Sequence, residues 1–216
     1  MTIIQKTATG ATSLEQIASR FATGLGKGDT LFLMGDLGAG KSTFARAVIR
    51  AIAGVSDLEV PSPTFPLLIP YQTTRMEISH FDLYRLSDRS EVEELGLYDN
   101  LNHHLTLIEW PEQLSDDHKI EDRFEISLKE LDQGESREIT IRGFGSAEEK
   151  LARFQNIEDF LKSAGWSEAN WAFLQGDAST RSYMRLKKNA DESANVQQAL
   201  LMNAPPQPDG APIKNG

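Results

Sequence analysis

The 216-residue sequence predicts an α/β fold, with a central, mostly parallel sheet flanked by helices. Three observations support this prediction. The apolar run at residues 30–34 is typical of a buried strand, and a glycine-rich turn follows it directly. Apolar residues at helical spacing predict a helix before the run and another after the turn. Further apolar runs alternate with polar turns along residues 65–141.

The spacing of apolar residues and the turn signals then place each element in order. The first helix is predicted to begin near Ser13, with Thr12 or Ser13 as its N-cap, and to end before Gly26. The second helix is predicted over residues 41–53 and ends at Gly54. Further strands are predicted at 65–71, 76–81, 105–110, 124–128 and 138–141, and short charged helices at 87–95 and 97–101.

The character of the chain changes at Ala147. Residues 147–166 show the pattern of an amphipathic helix, which is either a linker or the first element of another unit. Strand-like pieces follow at 171–175, 182–188 and 196–202, and the Pro/Gly-rich residues 204–216 are predicted to be poorly ordered. We therefore divide the chain into residues 1–147 and an incomplete second domain, residues 148–216.

Composition excludes several kinds of site. The sequence has no cysteine, which rules out disulfides, thiolate zinc sites, iron–sulfur clusters and a cysteine nucleophile. No apolar stretch approaches the roughly 18–20 residues that a membrane helix needs, and the N-terminus does not read as a signal peptide. We expect a soluble, cytoplasmic protein with no membrane partner.

Acidic side chains dominate the first part of the chain. The net charge is −10, and residues 1–147 hold 23 acidic against 14 basic side chains. No Lys or Arg occurs between Ser90 and His118. Because nucleic-acid affinity comes mainly from Lys and Arg on phosphates, we predict a poor autonomous nucleic-acid binder. The alternative is that the acidity only confers solubility.

One motif predicts a nucleotide-binding site. Residues 35–42, GDLGAGKS, fit G-x-x-x-x-G-K-[ST] between a predicted strand and a predicted helix, and this pattern is a P-loop. Its glycines let successive backbone N–H groups converge on a phosphate at the positive end of a helix dipole. Lys41 is placed to reach the β- and γ-phosphates, the Ser42 hydroxyl to bind Mg²⁺, and Thr43 to contact the α-phosphate.

Two carboxylates that end predicted strands are candidate partners of this loop. P-loop enzymes hold Mg²⁺ with an acidic side chain on another strand, and Glu109 is the best candidate. The alternative for Glu109 is a surface residue at a strand end. Asp82 either orients the attacking water, supports the metal shell, caps a helix or pairs with Arg85.

Other polar and aromatic residues stand near these positions in the sequence. Thr64 lies in PSPTF, a loop stiffened by two prolines, and either senses a γ-phosphate or Mg²⁺ or belongs to a plain turn. Trp110 follows Glu109 and is either a contact residue or a core residue. The four histidines lack the spacing of a metal site and are expected to be surface or core residues; they stand at positions 80, 103, 104 and 118.

Two classes of P-loop protein are disfavoured because the motifs typical of them are missing from the sequence. An N-K-x-D motif, typical of GTPases, is absent, and the loops are acidic where an adenylate-kinase-like lid would be rich in arginine. Two alternatives to a simple ATPase stay open. One is a small-molecule kinase that uses Asp82 as base, and the other is a nucleotide-dependent interaction module.

Four ordered motifs, GDLGAGKST, VPSPTF, HFDLYRL and LIEWPE, resemble the TsaE family over about residues 10–143. This family is the ATPase subunit of the bacterial tRNA threonylcarbamoyladenosine machinery. The resemblance implies a P-loop ATPase domain over residues 1–147 that binds ATP and Mg²⁺ and hydrolyses ATP slowly. It also implies two protein partners, the threonylcarbamoyl transferase and its dimerising companion, with tRNA reached only through the complex. Hydrolysis is expected to reset that complex between turnovers.

The resemblance also implies roles for individual residues. Lys41, Asp82 and Glu109 are the expected catalytic residues. Ser42, where the family usually has Thr, and Glu109 are the expected Mg²⁺ ligands. Thr12 is expected near the nucleotide base, and Arg137 in the last strands. The expected nucleotide-binding residues are Thr12, Gly35, Asp36, Leu37, Gly38, Ala39, Gly40, Lys41, Ser42, Thr43, Thr64, Trp110 and Arg137.

The second part of the chain resembles a different family. FLKSAGW, GDASTRSYMRL and ALLMNAPP are similar to the first lobe of aminoglycoside-phosphotransferase-like kinases, with Asn203 where those relatives tend to have Asp. The catalytic loop of such a kinase would lie beyond Gly216. We therefore expect no phosphotransfer from this part and interpret the chain as a fragment of a longer fusion or the product of a shortened gene.

Overall fold

The computed structural model describes residues 2–86, 88, 90–114, 120–174, 181–189 and 196–204. His118, residues 205–216 and part of the predicted helix 87–95 lie outside the described residues. Among the residues that are described, none of the helices combines the length and the apolar character needed to cross a bilayer.

The helices and strands alternate through the first part of the chain and then give way to a small antiparallel unit. In order they are β1 (Ile3–Thr9), α1 (Gly10–Ala22), β2 (Thr30–Met34), α2 (Lys41–Ala53), β3 (Leu68–Gln72), β4 (Glu77–Asp82), α3 (Ser90–Glu94), α4 (Leu97–Asn100), β5 (Leu105–Glu109), β6 (Arg123–Leu131), β7 (Ser136–Phe144), α5 (Ala147–Ser163), β8 (Asn170–Leu174), β9 (Ser182–Asn189) and β10 (Val196–Asn203). Single 3₁₀ turns cover Pro111–Gln113 and Asp132–Gly134.

The central sheet has the strand order β1-β7-β6-β2-β5-β4-β3. Strand β2 pairs in parallel with β5 and β6, and β4 pairs in parallel with β5. The outer pairs β1–β7, β6–β7 and β3–β4 are antiparallel, so only β7 and β3 run against the common direction. The predicted α/β fold with a mostly parallel sheet is confirmed. Its carboxyl edge brings the ends of β2, β4 and β5 together.

The strands at the centre are apolar because both of their faces are covered. All five residues of β5 are buried, as are the last five of β4. Helix α2 buries one stripe of side chains against the sheet and ends, as predicted, at Gly54 in the left-handed conformation (φ 69°). Phe21 of α1 lies at the middle of the core, with its ring 5.3 Å from that of Phe124 and 6.5 Å from that of Phe44.

The N-terminal strand and the start of α1 differ from the prediction. Strand β1, which we did not predict, alternates buried Ile4 and Ala8 with exposed residues and pairs along its length with β7. Helix α1 starts at Gly10, so Thr12 and Ser13 are not its N-cap. The alternation in β1 was a usable signal, but an edge strand is stabilised by its partner more than by its own sequence.

The loop before β3 also differs from the prediction, which placed a strand at 65–71. The strand begins instead at Leu68, because Leu67 has a left-handed backbone (φ 63°) and its N–H donates to the carbonyl of Pro63 at 2.8 Å. This turn leaves the Phe65 ring 80% exposed.

Helix α5 packs on the central sheet and not only on the strands that follow it. Its Leu151 is fully buried, and the Phe154 ring lies edge-on to Phe21 at 5.5 Å. Strands β8–β10 form a separate antiparallel sheet, packed on α5 through Leu161, Ala169 and Leu186. Helix α5 therefore contributes to the core of the central sheet and to the apolar cluster beneath strands β8–β10, although we assigned it to the second part of the chain.

The small sheet lies at the far end of α2 from the P-loop. A cavity of about 390 Å³ is lined by Arg50 and Gly54 at the end of α2 and by Ala172 of β8. A second cavity, of about 610 Å³, lies between α5 and strands β8 and β9. None of residues 35–42 lines either cavity, so both are separate from the P-loop.

Trp171 of β8 is the main aromatic contact between the small sheet and the rest of the protein. Its ring lies 5.8 Å from Phe154 and 5.8 Å from the guanidinium of Arg20. We expect Trp171→Ala to lower the free energy of unfolding by about 2 kcal/mol, because a half-buried ring loses its packing. The melting temperature should fall by about 4–8 °C in a thermal scan. The control is Phe160→Ala, whose ring is 58% exposed; equal melting temperatures for the two variants would contradict the prediction.

Candidate nucleotide-binding site

The P-loop, residues 35–42, joins the end of β2 to the start of α2. Gly35, Gly38 and Gly40 have φ values of 136°, 84° and 108°, which L side chains rarely adopt. A Cβ at Gly35 would lie 2.3 Å from the carbonyl oxygen of Leu128, so this loop passes directly against β6. The glycines thus shape a turn whose backbone opens onto the N-terminus of α2, where helix N–H groups favour an anion.

Lys41 places a buried cation at the mouth of this turn. Its side chain is 5% exposed, and Nζ donates to the carbonyls of Gly35 at 2.6 Å and Asp36 at 2.9 Å. Nζ also lies 3.7 Å from the centre of the Trp110 ring. Burial lowers the pKa of Lys41, and four nearby carboxylates oppose that shift: Glu109, Glu112, Asp82 and Asp36.

Ser42 and Glu109 meet across the carboxyl edge of the sheet. The Ser42 hydroxyl donates to Glu109 Oε2 at 2.9 Å, and Glu109 is 2% exposed at the end of β5. A hydroxyl and a carboxylate are oxygen donors of the kind that Mg²⁺ binds. No cluster of three or more His, Asp or Glu suited to a metal exists among the described residues. The pair therefore fits a cation that takes its other ligands from phosphate and water.

Asp82 holds the PSPTF loop against the end of β4. Its Oδ2 accepts a hydrogen bond from the Thr64 hydroxyl at 2.7 Å and one from Ser62 at 3.3 Å. Its Oδ1 accepts the N–H of Tyr84 at 3.1 Å. Asp82 is 3% exposed, and the register places it directly beside Glu109. We did not predict a role for Ser62 from the sequence, although its position between two prolines was a usable signal.

The alternative of an Asp82–Arg85 ion pair is not observed among the described residues. The Arg85 guanidinium instead lies 4.5 Å from the centre of the exposed Phe65 ring. Thr64 contacts Asp82 and Ser62, which ties the predicted switch-like loop to the end of β4.

Trp110 is held in an unusual backbone conformation beside Glu109. Its φ of 59° is left-handed, and its N–H donates to the carbonyl of Leu33 at 3.3 Å. The ring packs between Lys41 and Tyr84, whose ring centre is 4.9 Å away. A bulky residue with this backbone is strained, and such strain is concentrated at functional sites.

Arg137 approaches the loop from β7, and α1 approaches it through Leu14. Arg137 Nε donates to the carbonyl of Ala39 at 3.0 Å, so this side chain braces the P-loop backbone. Thr12 is exposed in the first turn of α1. The same helix reaches the loop through Leu14, whose Cδ2 lies 2.9 Å from where a Cβ on Gly40 would stand.

The structure adds a histidine that sequence reasoning did not assign to the site. His80 Nε2 lies 2.9 Å from Glu109 Oε1, and its side chain is 1% exposed. The usable signal was the strand period of two, which puts His80 and Asp82 on the same face of β4. His104 is remote from this site and contacts Ser79 and Glu77.

Comparison with known proteins identifies the family. The profile described as "Threonylcarbamoyl adenosine biosynthesis protein TsaE" matches residues 8–139, more than half of the chain. The chain belongs to the TsaE family. The resemblance of the four motifs is thereby confirmed, and the P-loop is consistent with a TsaE protein. The matched residues end before α5, so the kinase-like resemblance of the C-terminal part stays a prediction.

Individual TsaE relatives cover different shares of the chain. The "tRNA threonylcarbamoyladenosine biosynthesis protein TsaE" of Rickettsia prowazekii is 40% identical over 119 residues, 55% of this chain and 81% of the relative. The protein of the same name from Bacillus subtilis is 35% identical over 137 residues, 61% and 83% of the two chains. The Rickettsia felis TsaE is 44% identical over 98 residues, and the chain spans 57% of the length of that relative.

One solved structure has a similar fold. The crystal structure of Bacillus subtilis YdiB matches with a TM-score of 0.58 and 26% sequence identity. The match covers 73% of this chain and 97% of YdiB.

Proposed function

We propose that this chain is the ATPase subunit of the bacterial complex that forms N6-threonylcarbamoyladenosine next to the tRNA anticodon, and that it works in the cytoplasm. It binds ATP with Mg²⁺ and hydrolyses ATP slowly by itself. The threonylcarbamoyl transferase and its dimerising companion stimulate this hydrolysis, which resets the complex between turnovers. The observation that carries the proposal is the convergence of Lys41, Ser42 and Glu109 at one sheet edge within a TsaE-family domain.

The residues of the P-loop and its neighbours make different contacts with the nucleotide. The backbone of residues 35–40 cradles the phosphates, and Lys41 supplies a positive charge toward the β- and γ-phosphates. Thr43 contacts the α-phosphate, and Arg137 keeps the loop in shape through Ala39. Trp110 stacks over the Lys41 ammonium and shields it from water.

Ser42 and Glu109 would hold the Mg²⁺. When bound, the ion neutralises charge that develops on the phosphates. Glu109 is anchored before any ion arrives, because its backbone is paired with β2 and β4 and its side chain is bonded on both oxygens. Asp82 sits one strand away and positions the attacking water or the PSPTF loop that faces it.

The surface of the chain supports a protein partner in preference to direct tRNA contact. Residues 1–147 carry 23 acidic and 14 basic side chains, which opposes binding to the phosphate backbone of a nucleic acid. Apolar side chains are exposed around the P-loop and the PSPTF loop, with Leu37 75% and Phe65 80% accessible. Exposed apolar residues beside a site are typical of docking surfaces.

The experiment that tests the proposal is ATP hydrolysis by this chain alone and with the transferase and its companion added. We expect slow hydrolysis alone and stimulation by the pair, both lost in Lys41→Ala. Robust activity alone that the partners leave unchanged would contradict the proposal. Stimulation by a metabolite instead of the partners would favour a small-molecule kinase that uses Asp82 as base.

A further inference from the structure

His80 is a buried polar side chain whose only stated part in the function proposed above is its contact with Glu109. It lies on β4, 1% exposed, and its Nε2 is 2.9 Å from Glu109 Oε1. Glu109 itself is 2% exposed. Burial removes both groups from water, which is unfavourable. A polar pair this deep in a sheet therefore indicates a role in the site.

The two oxygens of Glu109 have different partners. Oε2 accepts from the Ser42 hydroxyl at 2.9 Å, and Oε1 faces His80 Nε2. Because Oε1 is tied to β4, the carboxylate is prevented from rotating about its terminal bond. Oε2 is thus the oxygen that stays directed toward Ser42 and the P-loop.

Hydrogen-bond accounting places the proton of this contact on His80. The Nδ1 atom of His80 is buried and has no hydrogen-bond partner among the residues that the structure describes. An N–H at Nδ1 would therefore be a buried donor without an acceptor, which is unfavourable. The proton of this contact therefore lies on Nε2, and that N–H donates to the carboxylate of Glu109.

We propose that His80 is a positioning residue that orients Glu109 for a divalent cation at the P-loop. This inference rests on the proposed function, because it concerns the same Mg²⁺ site. Partners that orient a metal ligand typically contribute a factor of about 10–100 to metal affinity. His80 acts only through Glu109, so its loss affects binding of the cation and not binding of the metal-free nucleotide.

The test measures ADP affinity by titration calorimetry over a range of Mg²⁺ concentrations, and so does not depend on hydrolysis. In His80→Met, of similar size but without the donor, the Mg²⁺ concentration that gives half of the gain in ADP affinity should rise about 10–100-fold. ADP affinity without Mg²⁺ should change by less than about twofold, and His80→Gln, which restores an N–H donor, should recover most of the effect. The matched control is His104→Met, which removes a histidine paired with Glu77 away from the site.

The results separate failure of this inference from failure of the proposed function. If Mg²⁺ does not raise the ADP affinity of the wild-type protein, the Mg²⁺ site fails and the inference with it. If wild type shows the gain and His80→Met matches it, the inference alone is overturned. Nitrogen NMR of the His80 ring in the wild-type protein gives a readout that needs no variant to fold: a proton on Nε2 is expected, and an unprotonated Nε2 overturns the inference.

Discussion

Lys41→Ala is expected to lower the affinity for ATP by at least about 100-fold, or about 3 kcal/mol. Lys41 is a buried cation in direct contact with two carbonyls of the P-loop. Without it, a bound polyphosphate would lose the cationic side chain that offsets the nearby charges of Glu109 and Asp82. ATP titration by calorimetry measures the loss, and hydrolysis with the partner pair should disappear in parallel.

The control for Lys41 is Lys162→Ala, which removes an exposed lysine from the last turn of α5. Its ATP affinity should equal that of wild type. Circular dichroism of Lys41→Ala checks that the fold persists, and persistence is expected because burying this ammonium is itself unfavourable, as its lowered pKa shows. ATP affinity in Lys41→Ala within a few-fold of wild type would contradict the proposed site.

Asp82→Asn is expected to reduce partner-stimulated hydrolysis by about 100-fold to 10,000-fold while ATP affinity stays within a few-fold of wild type. Asp82 lies beside Glu109 on the next strand, at the edge where the phosphates are proposed to sit. Asn keeps the shape and the contact with the N–H of Tyr84 but removes the negative charge. Single-turnover hydrolysis and ATP titration on the same preparations separate turnover from binding.

Asp82 also anchors a loop, and a second variant separates the two explanations. The double variant Ser62→Ala, Thr64→Val removes both hydroxyl donors to Asp82 and leaves its charge. If Asp82 positions water, this variant keeps most of the hydrolysis rate. If Asp82 only holds the loop, the double variant loses as much as Asp82→Asn does. Equal rates of ATP hydrolysis for Asp82→Asn and wild type would contradict both explanations.

Local patterns carried the central part of the prediction. The apolar run before the P-loop and the helix after it were placed correctly because adjacent residues define both. The buried strand ending in Glu109 was recognised for the same reason. Strand β1 and the turn at Leu67 were not, because an edge strand depends on its partner β7 and a left-handed Leu depends on the hydrogen bond to Pro63.

Individual contacts in the site were harder to anticipate than its members. Glu109 and Ser42 were predicted as a pair, and the structure places them 2.9 Å apart. His80 was expected to be a surface or core residue, since one histidine in an apolar strand carries no signal of its partner. Its contact with Glu109 exists only because β4 and β5 are parallel neighbours in a register that places Phe81 opposite Ile108.

The chain's own residues were sufficient to identify an α/β P-loop protein of the TsaE family, because glycine positions, apolar runs and motif order are properties of short segments. The tertiary structure decided three things: which oxygen of Glu109 faces His80, which loop Asp82 holds, and how β8 docks at the far end of α2. Each depends on contacts between side chains that are 18 or more residues apart in the chain. Such contacts arise when strands pair and helices pack over them, so they follow from the free energy of the whole fold and not from any one segment.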